Sequence, residues 1–450
     1  MDAADRMRTD SFRTPITLAG RHVRLVPLDA SHGGPLGPIW SNPEVHRYLI
    51  GLVPRSEGSD LRRLIDLLLS RQRSGTDLAF TTVLASGGRP IGMTRYLNID
   101  RKNDAVEIGG TWLDPLYWRS AVNTESKLLL LTHAFEREGA HRVCLQTDLR
   151  NERSQRAIAR LGAEREAVLR DDRRLTDDGY RSSVFFSILS PEWSGVKRSL
   201  ERMLDRPWAP PQAQLPVSPG TASGSPPAVR PTEEVGVLPP TSFRPPVTLR
   251  GRYVELVPLE RGHIPSLVRA GGDPEIWQLL RIGPGRTVSE MTALVDWILS
   301  DQELGTVLAF VVLALPSRTP VGMFRFLDID RWNRKVEGGT WLNPAVWRSP
   351  VNTELKFLAL SYAFEREGVH RVQFRTDSRN ARSQAAIERL GAVPEGIHRE
   401  HLLLADGYHR TSLVYSILES GWPSVRQGLE EKLARPWTGR ELSETPAVQA

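Results

Sequence analysis

The chain repeats itself at a spacing of roughly 230 residues, and this repeat limits what it can fold into. The segment LAGRHVRLVPLDASH, which begins at Leu18, returns from Leu249 as LRGRYVELVPLERGH. NERSQRAIARLGA, from Asn151, returns from Asn380 as NARSQAAIERLGA. Solenoid repeats are about 20–50 residues long, so this spacing indicates a duplicated domain instead.

The limits of the repeat predict five segments. A flexible N-terminal tail covers residues 1–17, a first domain 18–208, a linker 209–240, a second domain 241–437 and a disordered tail 438–450. Pro, Ser and Gly dominate the linker, which has few bulky apolar residues to bury. We expect an extended, semi-rigid tether. It leaves the domains free either to dock as an intramolecular pseudo-dimer or to stay apart.

Composition predicts a folded protein of the cytoplasm. The chain is 40% hydrophobic and 25% charged, as in globular proteins. No apolar run approaches the roughly 20 residues of a membrane span, and the first residues do not resemble a secretory signal. The single cysteine, Cys144, excludes an intrachain disulfide and a cysteine-based zinc site. We expect a packed core thiol there and no metal.

The charge balance leaves the class of partner open. The net charge is +6, which suits nucleic acid, ribosomes or an anionic small molecule. The arginines are scattered among Asp and Glu instead of forming one basic run. A solvated surface is therefore the simpler explanation, and nucleic-acid binding ranks last among the functions considered.

Hydrophobic patterning predicts strands mixed with helices in each copy. In the first copy, alternation indicates strands in HVRLVPL, LAFTTVLA, PIGMTRYLNI and AVEIGGTWL. A long helix is predicted from about Asn123 to Glu138, ended by Gly139. These elements predict an α/β (α+β) mixed-sheet sandwich, present twice, with the parallel part of the sheet around the loop before the long helix.

That loop has the features of an anion site. PLYWRSAV leads into the helix start NTESKLLLL, and backbone N–H groups at a helix start converge where the helix dipole favours negative charge. Arg119, Ser120 and Thr124 can add donors. The alternative is purely structural, with Asn123 as the residue that caps the helix. Glu125 and Glu354 in the first turn are interpreted as complements to the dipole.

Together, GTWLDPLYWRSAVNTESK and TDLRNERSQRAIARLGA strongly resemble the GNAT superfamily of N-acetyltransferases, specifically its RimJ/RimL-like branch, whose name refers to ribosomal-protein N-acetyltransferases. The resemblance covers nearly all of both copies. It implies a V-shaped sheet that binds acetyl-CoA where two parallel strands splay apart. It also implies transfer of the acetyl group to an amine.

The resemblance assigns a pyrophosphate loop, usually written Q/R-x-x-G-x-G/A. Trp118, Ala121 and Asn123 occupy its defining positions, but neither copy keeps the glycines. In the second copy Pro350 has no N–H to offer a phosphate. The implied cofactor-binding residues are Trp118, Arg119, Ser120, Ala121, Val122, Asn123, Thr124 and Asn151 in the first copy, and Arg348, Ser349, Val351, Asn352, Thr353 and Asn380 in the second.

The motif N-x-R-S supplies the next candidates. By resemblance, Asn151 hydrogen-bonds the pantetheine arm and Ser154 donates a proton toward the thioester sulfur. Asn380 and Ser383 match them in the second copy. A donor is useful because a departing thiolate leaves more easily when it is hydrogen-bonded. The alternative is that these residues only cap the following helix.

The predicted general base is Glu107, with Glu337 as its counterpart. Partial burial would raise the pKa of the carboxyl toward a useful value, and the alternative is a strand glutamate paired with an arginine. The first copy reads EIGGTW and the second EGGTW. One residue reverses the face of a strand, so we expect Glu337 to be turned away and the first copy alone to keep a β-bulge.

The leading hypothesis is therefore direct acetyl transfer from acetyl-CoA to a primary amine, with the first domain as the stronger catalyst. The acceptor is either a protein N-terminus or a small-molecule amine of the antibiotic type. The competing hypothesis is an acyl-CoA-binding scaffold with vestigial activity. The sequence contains no recognisable code for the acceptor.

Overall fold

The computed structural model describes Phe12 and residues 14–49, 59–175, 179–208, 243–404 and 406–437. The predicted linker (209–240) and C-terminal tail (438–450) lie outside these residues, as does most of the N-terminal tail. Within the described part of the chain, no helix combines the length and apolar character needed to cross a bilayer.

The first domain is a mixed sheet with helices on both faces. Leu61, Leu64, Ile65 and Leu68 are buried, and this helical spacing explains the third helix. The strands are β1 Leu18–Ala19, β2 Val23–Pro27, β3 Leu78–Leu84, β4 Pro90–Asp100, β5 Ala105–Leu113, β6 Arg142–Asp148, β7 Glu164–Arg174 and β8 Tyr180–Leu189. The helices are α1 Gly33–Trp40, α2 Pro43–His46, α3 Ser59–Arg73, α4 Ala121–Thr132, α5 Glu152–Arg160 and α6 Trp193–Leu204.

The second domain repeats this order, except that a short 3₁₀ helix, Pro274–Ile276, takes the place of α2. The predicted duplicated α/β architecture is thereby observed. Its strands are β9 Leu249–Arg250, β10 Val254–Pro258, β11 Leu308–Ala314, β12 Thr319–Asp330, β13 Lys335–Leu342, β14 Arg371–Asp377, β15 Val393–Leu403 and β16 His409–Leu418. Its helices are α7 Ile264–Ala270, α8 Val288–Glu303, α9 Pro350–Ser361, α10 Ala381–Leu390 and α11 Trp422–Ala434.

Each domain contains one parallel strand pair, and that pair opens along its length. In the first domain β5 and β6 pair only over Ala105–Glu107 and Arg142–Cys144. In the second domain β13 and β14 pair over 335–337 and 371–373. Beyond these three residues the strands separate, so the sheet has the predicted V-shaped opening immediately after Glu107 and after Glu337.

The predicted β-bulge is present in the first domain alone. Met93 pairs with Trp112 and Arg95 with Gly109, so β5 has one residue too many, at Gly110, whose φ is +58°. The pairing of β12 with β13 runs without a shift over the same stretch. A glycine suits the extra position because side chains rarely adopt this φ.

The predicted reversal of Glu337 is wrong. Glu107 pairs with Leu97, and Glu337 pairs with Leu327 at the equivalent place. Both glutamates also line the cavity of their own domain. The bulge absorbs the extra residue locally, so the strand on the glutamate side keeps the same face in both domains.

The two domains share one continuous sheet. β7 and β15 lie side by side at its centre, where Gly396 pairs with Ala167. A Cβ at Gly396 would lie 2.3 Å from the carbonyl oxygen of Glu166, so the close approach of the two backbones requires glycine.

Buried ion pairs flank this contact with two-fold symmetry. Arg371 donates to both carboxylate oxygens of Glu395, at 2.8 and 2.5 Å, and to the carbonyl of Arg170 in the other domain, at 2.7 Å. Arg142 makes the equivalent bonds to Glu166 and to the carbonyl of Arg399. The polar groups of each domain are therefore satisfied in part by the other domain.

Candidate active site

The V-shaped opening of the first domain forms a cavity of about 870 Å³. The opening of β5 from β6 places the end of each strand and the starts of two helices around one space. Several predicted residues line it: Glu107, Trp118, Arg119, Ser120, Asn123, Asn151 and Ser154. Residues that the sequence analysis missed also line it, including Arg95, Lys127, Gln146 and Arg153.

Side-chain hydrogen bonds hold the loop before α4 in an unusual conformation. Arg119 has φ +60°, which is rare for a residue other than glycine. The indole of Trp118 donates to the carbonyl of Leu113 at 3.0 Å, and the hydroxyl of Ser120 donates to that of Tyr117 at 2.6 Å. The second domain repeats this arrangement, with Arg348 at φ +62°. These hydrogen bonds stabilise the positive φ in each loop, although neither loop has the glycines of the motif Q/R-x-x-G-x-G/A.

The helix start differs from its prediction. Ser120, not Asn123, is the N-cap, and its Oγ accepts from the N–H of Val122 at 3.2 Å. Because α4 begins at Ala121, Asn123 lies in the first turn and faces the cavity. The predicted cofactor residues that do not line the cavities are Ala121, Val122 and Thr124 in the first domain and Val351 in the second.

Glu125 has a different role from the predicted one. Its carboxylate is buried and accepts from the N–H groups of Arg21, His22 and Val23 at 2.6–2.8 Å. Glu354 makes the same bonds in the second domain. The side chain therefore fixes α4 to the turn between β1 and β2, and it does not act mainly through the helix dipole.

Arg153, the third residue of the N-x-R-S motif, stacks on Trp118 in the loop before α4. Its guanidinium lies 3.6 Å from the centre of the Trp118 ring, and Arg382 lies 3.4 Å from Trp347 in the second domain. Both arginines line their cavities. The tryptophan at the first motif position thus holds a cation beside the loop.

Asn151 does cap α5, as the structural alternative predicted. Its Oδ1 accepts from the N–H of Ser154 at 3.0 Å, and Asn380 accepts from Ser383 at 2.9 Å. Asn151 and Ser154 nevertheless both line the cavity. Because capping uses only the carbonyl oxygen of the side chain, the amide group of Asn151 is still a donor for a ligand.

Glu107 is buried and has neutral hydrogen-bond partners. Its carboxylate accepts from the amides of Asn98 and Gln146, each at 2.8 Å. Burial raises the pKa of Glu107 above its ordinary value of 4.5, although those bonds and the charges of Arg173 and Arg95 act in the opposite direction. A buried carboxylate with a raised pKa beside a cavity has the properties of a general base.

Glu337 instead has an arginine as its partner. Gln146 is replaced by Arg375, whose Nε donates to the Glu337 carboxylate at 2.5 Å and whose Nη2 also pairs with Asp328. The structural alternative, a strand glutamate paired with an arginine, therefore holds in the second domain. An incoming proton would have to compete there with a guanidinium already bound to the carboxylate.

A buried lysine lies beside the cavity in each domain. Lys127 Nζ donates to Thr111 Oγ1 at 2.6 Å and to Thr94 Oγ1 at 3.3 Å. Burial lowers the pKa of Lys127 to about 7, and it does the same for Lys356. Sequence periodicity alone does not reveal this residue, because its two partners are distant in the chain.

The cavity of the second domain is smaller, at about 280 Å³. Leu402 takes the place of Arg173, and Leu280 and Ile282 also line it. Arg348, Ser349, Asn352, Thr353, Asn380, Ser383 and Glu337 all face this space. Among the described residues of both domains, no group of three or more His, Cys, Asp or Glu is placed to hold a metal ion. Cys144 is half-buried as a residue, and burial raises the pKa of its thiol to about 12, as expected of a packed thiol.

A family model described as an acetyltransferase (GNAT) domain matches residues 22–164 and 254–393, together more than half of the chain. The chain belongs to the GNAT acetyltransferase family. The match occurs once in each copy, which confirms the resemblance seen in the motifs and the duplication of a GNAT domain.

Two relatives carry N-acetyltransferase names. YdaF of Bacillus subtilis (strain 168), named as a candidate ribosomal N-acetyltransferase, is 32% identical over 101 residues, which make up 22% of this chain and 55% of YdaF. This chain therefore spans about half of that relative. The uncharacterized N-acetyltransferase p20 of Bacillus licheniformis is 24% identical over 180 residues, 40% of this chain and 99% of p20.

Two solved acetyltransferase structures are each similar to about two fifths of this chain. A GCN5-related N-acetyltransferase from Brucella melitensis is 30% identical, with a TM-score of 0.40, and the alignment covers 42% of this chain and 86% of that one. RimJ of Mycobacterium smegmatis, solved in complex with CoA-disulfide, is 19% identical, with a TM-score of 0.37 over 41% of this chain and 93% of RimJ.

Proposed function

We propose that the first domain transfers the acetyl group of acetyl-CoA to a primary amine. The observation that carries the proposal is that one cavity is lined both by the loop before α4 and by Glu107. It joins a helix-start anion site, braced around Arg119, to a buried carboxylate, Glu107, that has only neutral hydrogen-bond partners. Anion binding and general-base catalysis are the two functions that acetyl transfer from acetyl-CoA to an amine requires.

Acetyl-CoA would lie along the V-shaped opening. Its pyrophosphate would lie over the backbone N–H groups of residues 119–124, with Arg153 beside it. The amide of Asn151 would hold the pantetheine arm. The thioester would then lie near the bulge at Gly110, within reach of the β5 N–H groups that no longer pair with β6. Those groups would stabilise the developing oxyanion.

The reaction would proceed by direct attack. Glu107 takes a proton from the ammonium form of the acceptor, and the neutral nitrogen then forms a bond to the thioester carbon. The tetrahedral intermediate collapses as the carbon–sulfur bond breaks. Ser154 donates a hydrogen bond to the departing thiolate, and the second proton that the nitrogen loses passes to the sulfur through Ser154 or water. The products are the N-acetyl amine and CoA.

The second domain would be the weaker catalyst. Three observations support this: Arg375 occupies the Glu337 carboxylate, the cavity is smaller, and Pro350 stands at the first position of α9. Glu337 lines its cavity as Glu107 does, so the strand face does not distinguish the two domains. The retained Asn380 and Ser383 leave acyl-CoA binding without efficient transfer as the alternative function of this domain.

The second domain would also complete the acceptor end of the first. Asp330, Trp332 and Asn333 line the mouth of the first cavity, and the Asn333 side chain accepts from the N–H of Arg174 at 2.8 Å. Trp332 is 46% exposed there. We therefore infer that the domains work as an intramolecular pseudo-dimer, in which the second provides part of the amine-binding surface.

The substitution Ala121→Pro tests the anion site. Proline is compatible with the first position of a helix, and the second domain carries Pro350 there, so the fold should persist. Losing one N–H to a charged group costs about 1.5–3 kcal/mol. We expect the dissociation constant of acetyl-CoA for the first domain to rise roughly ten- to hundredfold, as measured by calorimetry on the full chain.

The reciprocal change, Pro350→Ala, is the matched control. It restores an N–H in the second domain and should strengthen binding there without weakening the first site. If Ala121→Pro leaves acetyl-CoA binding unchanged while the protein remains folded, the pyrophosphate does not lie over this helix start.

A further inference from the structure

The end of the first cavity around Glu107 is lined by arginines that acetyl-CoA does not account for. Arg71, Arg95, Arg173, Arg174 and Arg181 line the cavity, and three of them, Arg95, Arg173 and Arg181, interact with the charge of Glu107. The phosphate loop follows Leu113, six residues beyond Glu107 and thus roughly 15–20 Å along the strand. The phosphates of acetyl-CoA would be bound at that distant end, by the loop and Arg153.

Three of these arginines surround the proposed base. Arg95 lies on β4 opposite Gly109, and Arg173 pairs with Arg181 on the hairpin of β7 and β8. Arg95 and Arg173 are both close enough to act on the charge of Glu107, and Glu107 acts on Arg181. Burial lowers the pKa of Arg95 and of Arg181, so both cations are held where water stabilises them poorly.

The carboxylates nearest to these cations are buried outside the cavity lining. Asp77 lies 3.0 Å from Arg95, and Asp172 lies 3.7 Å from Arg173. Both acids are buried and neither lines the cavity, nor does Asp148, which also acts on Arg181. The acidic residues of the lining, Glu44, Glu107 and Asp330, are fewer than its arginines, so positive charge predominates in the cavity.

Within the described part of the chain, Arg95 has an N–H group that is not used in a hydrogen bond. Its side chain is 6% exposed, and its Nε has no hydrogen-bond partner among the described residues. A Cβ at Gly110 would lie 3.0 Å from that Nε, which places the group at the bulge where the thioester would lie. A buried donor without a partner needs an explanation, and beside a cavity a bound ligand, ion or water supplies one.

We propose that the acceptor is an amine that carries an anionic group, a carboxylate or a phosphate, beside the amino group. This rests on the proposed function and names its substrate class. A simple ammonium would be repelled by the arginines on its way to Glu107, whereas an anionic group would be bound by Arg95, Arg173 and Arg181. The arginines would also favour the neutral, nucleophilic form of the bound amine.

Matched pairs of amines test the proposal on the full chain. One pair is the peptide amides Ser-Glu-Glu-Trp and Ser-Gln-Gln-Trp, and the other is O-phosphoethanolamine and ethanolamine, with spermidine as a polycation. We expect kcat/KM for the anionic member of at least one pair to exceed its neutral partner at least tenfold at low salt. The advantage should shrink at high salt. The pair that responds distinguishes a peptide from a small-molecule source of the anion.

Arg173→Leu is the matched variant, because Leu402 occupies this place in the second domain. It should lower the ratio of kcat/KM for the anionic amine to kcat/KM for its neutral partner about tenfold, without weakening acetyl-CoA binding. Arg202→Gln, on the exposed side of α6, should change neither. An equal loss for anionic and neutral amines would assign Arg173 a structural role and overturn the proposal.

Failure of this proposal can be distinguished from failure of the proposed function. If calorimetry detects no acetyl-CoA binding, the acetyl-transfer proposal itself falls. If acetyl-CoA binds and neutral amines or spermidine are acetylated as well as the anionic ones, only the anionic acceptor is overturned. Binding of acetyl-CoA with no acetylation of either anionic probe also counts against it.

Discussion

Glu107→Gln is expected to lower kcat by about 10²–10³-fold while leaving the dissociation constant of acetyl-CoA nearly unchanged. A general base contributes about 10²–10⁴-fold to a rate and acts only in the transition state. Glutamine keeps the shape and a hydrogen-bond acceptor but cannot take a proton. Steady-state kinetics and calorimetry on the full chain, with one acceptor throughout, measure the two effects separately.

The pH profile provides a second readout. Burial raises the pKa of Glu107 above 4.5, so the parent should gain activity as the pH rises through that raised pKa and the carboxylate ionises. Glu107→Gln should lose this limb. A limb near pH 7 that persists in the variant would belong to Lys127, whose pKa burial lowers to about 7.

Glu337→Gln is the matched control for the same residue type in the other domain. Because Arg375 already donates a hydrogen bond to the Glu337 carboxylate, we expect less than a twofold loss of activity. Abolition of activity by Glu337→Gln alone would make the second domain a full catalyst. Equal halving by both substitutions would mean two independent active sites.

Glu395→Ala is expected to destabilise the protein by about 3–5 kcal/mol, because removing one partner leaves the buried Arg371 uncompensated. The side chains of Arg371 and Glu395 are 0% and 1% exposed, and Arg170 of the other domain also donates to Glu395. The change should therefore weaken both the second domain and its contact with the first. Chemical denaturation of the full chain measures the loss.

Glu430→Ala is the control for this substitution. Glu430 forms an exposed pair with Arg426 one helical turn away, and such surface pairs contribute little. Its denaturation midpoint should match that of the parent. If the denaturation midpoint of Glu395→Ala also matched that of the parent, the buried ion pair would not stabilise the interface between the domains.

Much of the fold could be predicted because the same sequence motifs occur in both copies. The repeated motifs gave the duplication, and the extra residue in EIGGTW gave the bulge at Gly110. Most of the residues that the family resemblance named line the cavity, because those motifs follow the ends of neighbouring strands. Local patterns suffice where each element packs within its own domain.

Strand β7 escaped prediction for the opposite reason. EREAVLRDDRR has charges on both faces and no clear alternation, so it does not match the pattern of a half-buried strand. Its Glu166 is hydrogen-bonded by Arg142 and, from the other domain, by Arg399. Arg399, one of the partners that allow this charge to be buried, is in the other domain, more than two hundred residues away in the chain.

The predicted reversal of Glu337 was wrong because it applied the alternation of a regular strand across the predicted bulge. A face reversal follows from a deletion only where no bulge absorbs it. The more telling difference between the domains was visible in the aligned motifs RVCLQTD and RVQFRTD, where Gln146 becomes Arg375. That exchange changes the partner of the proposed base from an amide to a guanidinium.

Product analysis on the full chain tests the central claim most directly. The protein is supplied with acetyl-CoA and an amine, and both free CoA and acetylated amine are quantified by mass spectrometry. Acetyl transfer predicts one acetylated amine for each CoA released, with a rate that saturates in both substrates. Bound acetyl-CoA with no amine-dependent release of CoA would contradict it and leave an acyl-CoA-binding scaffold.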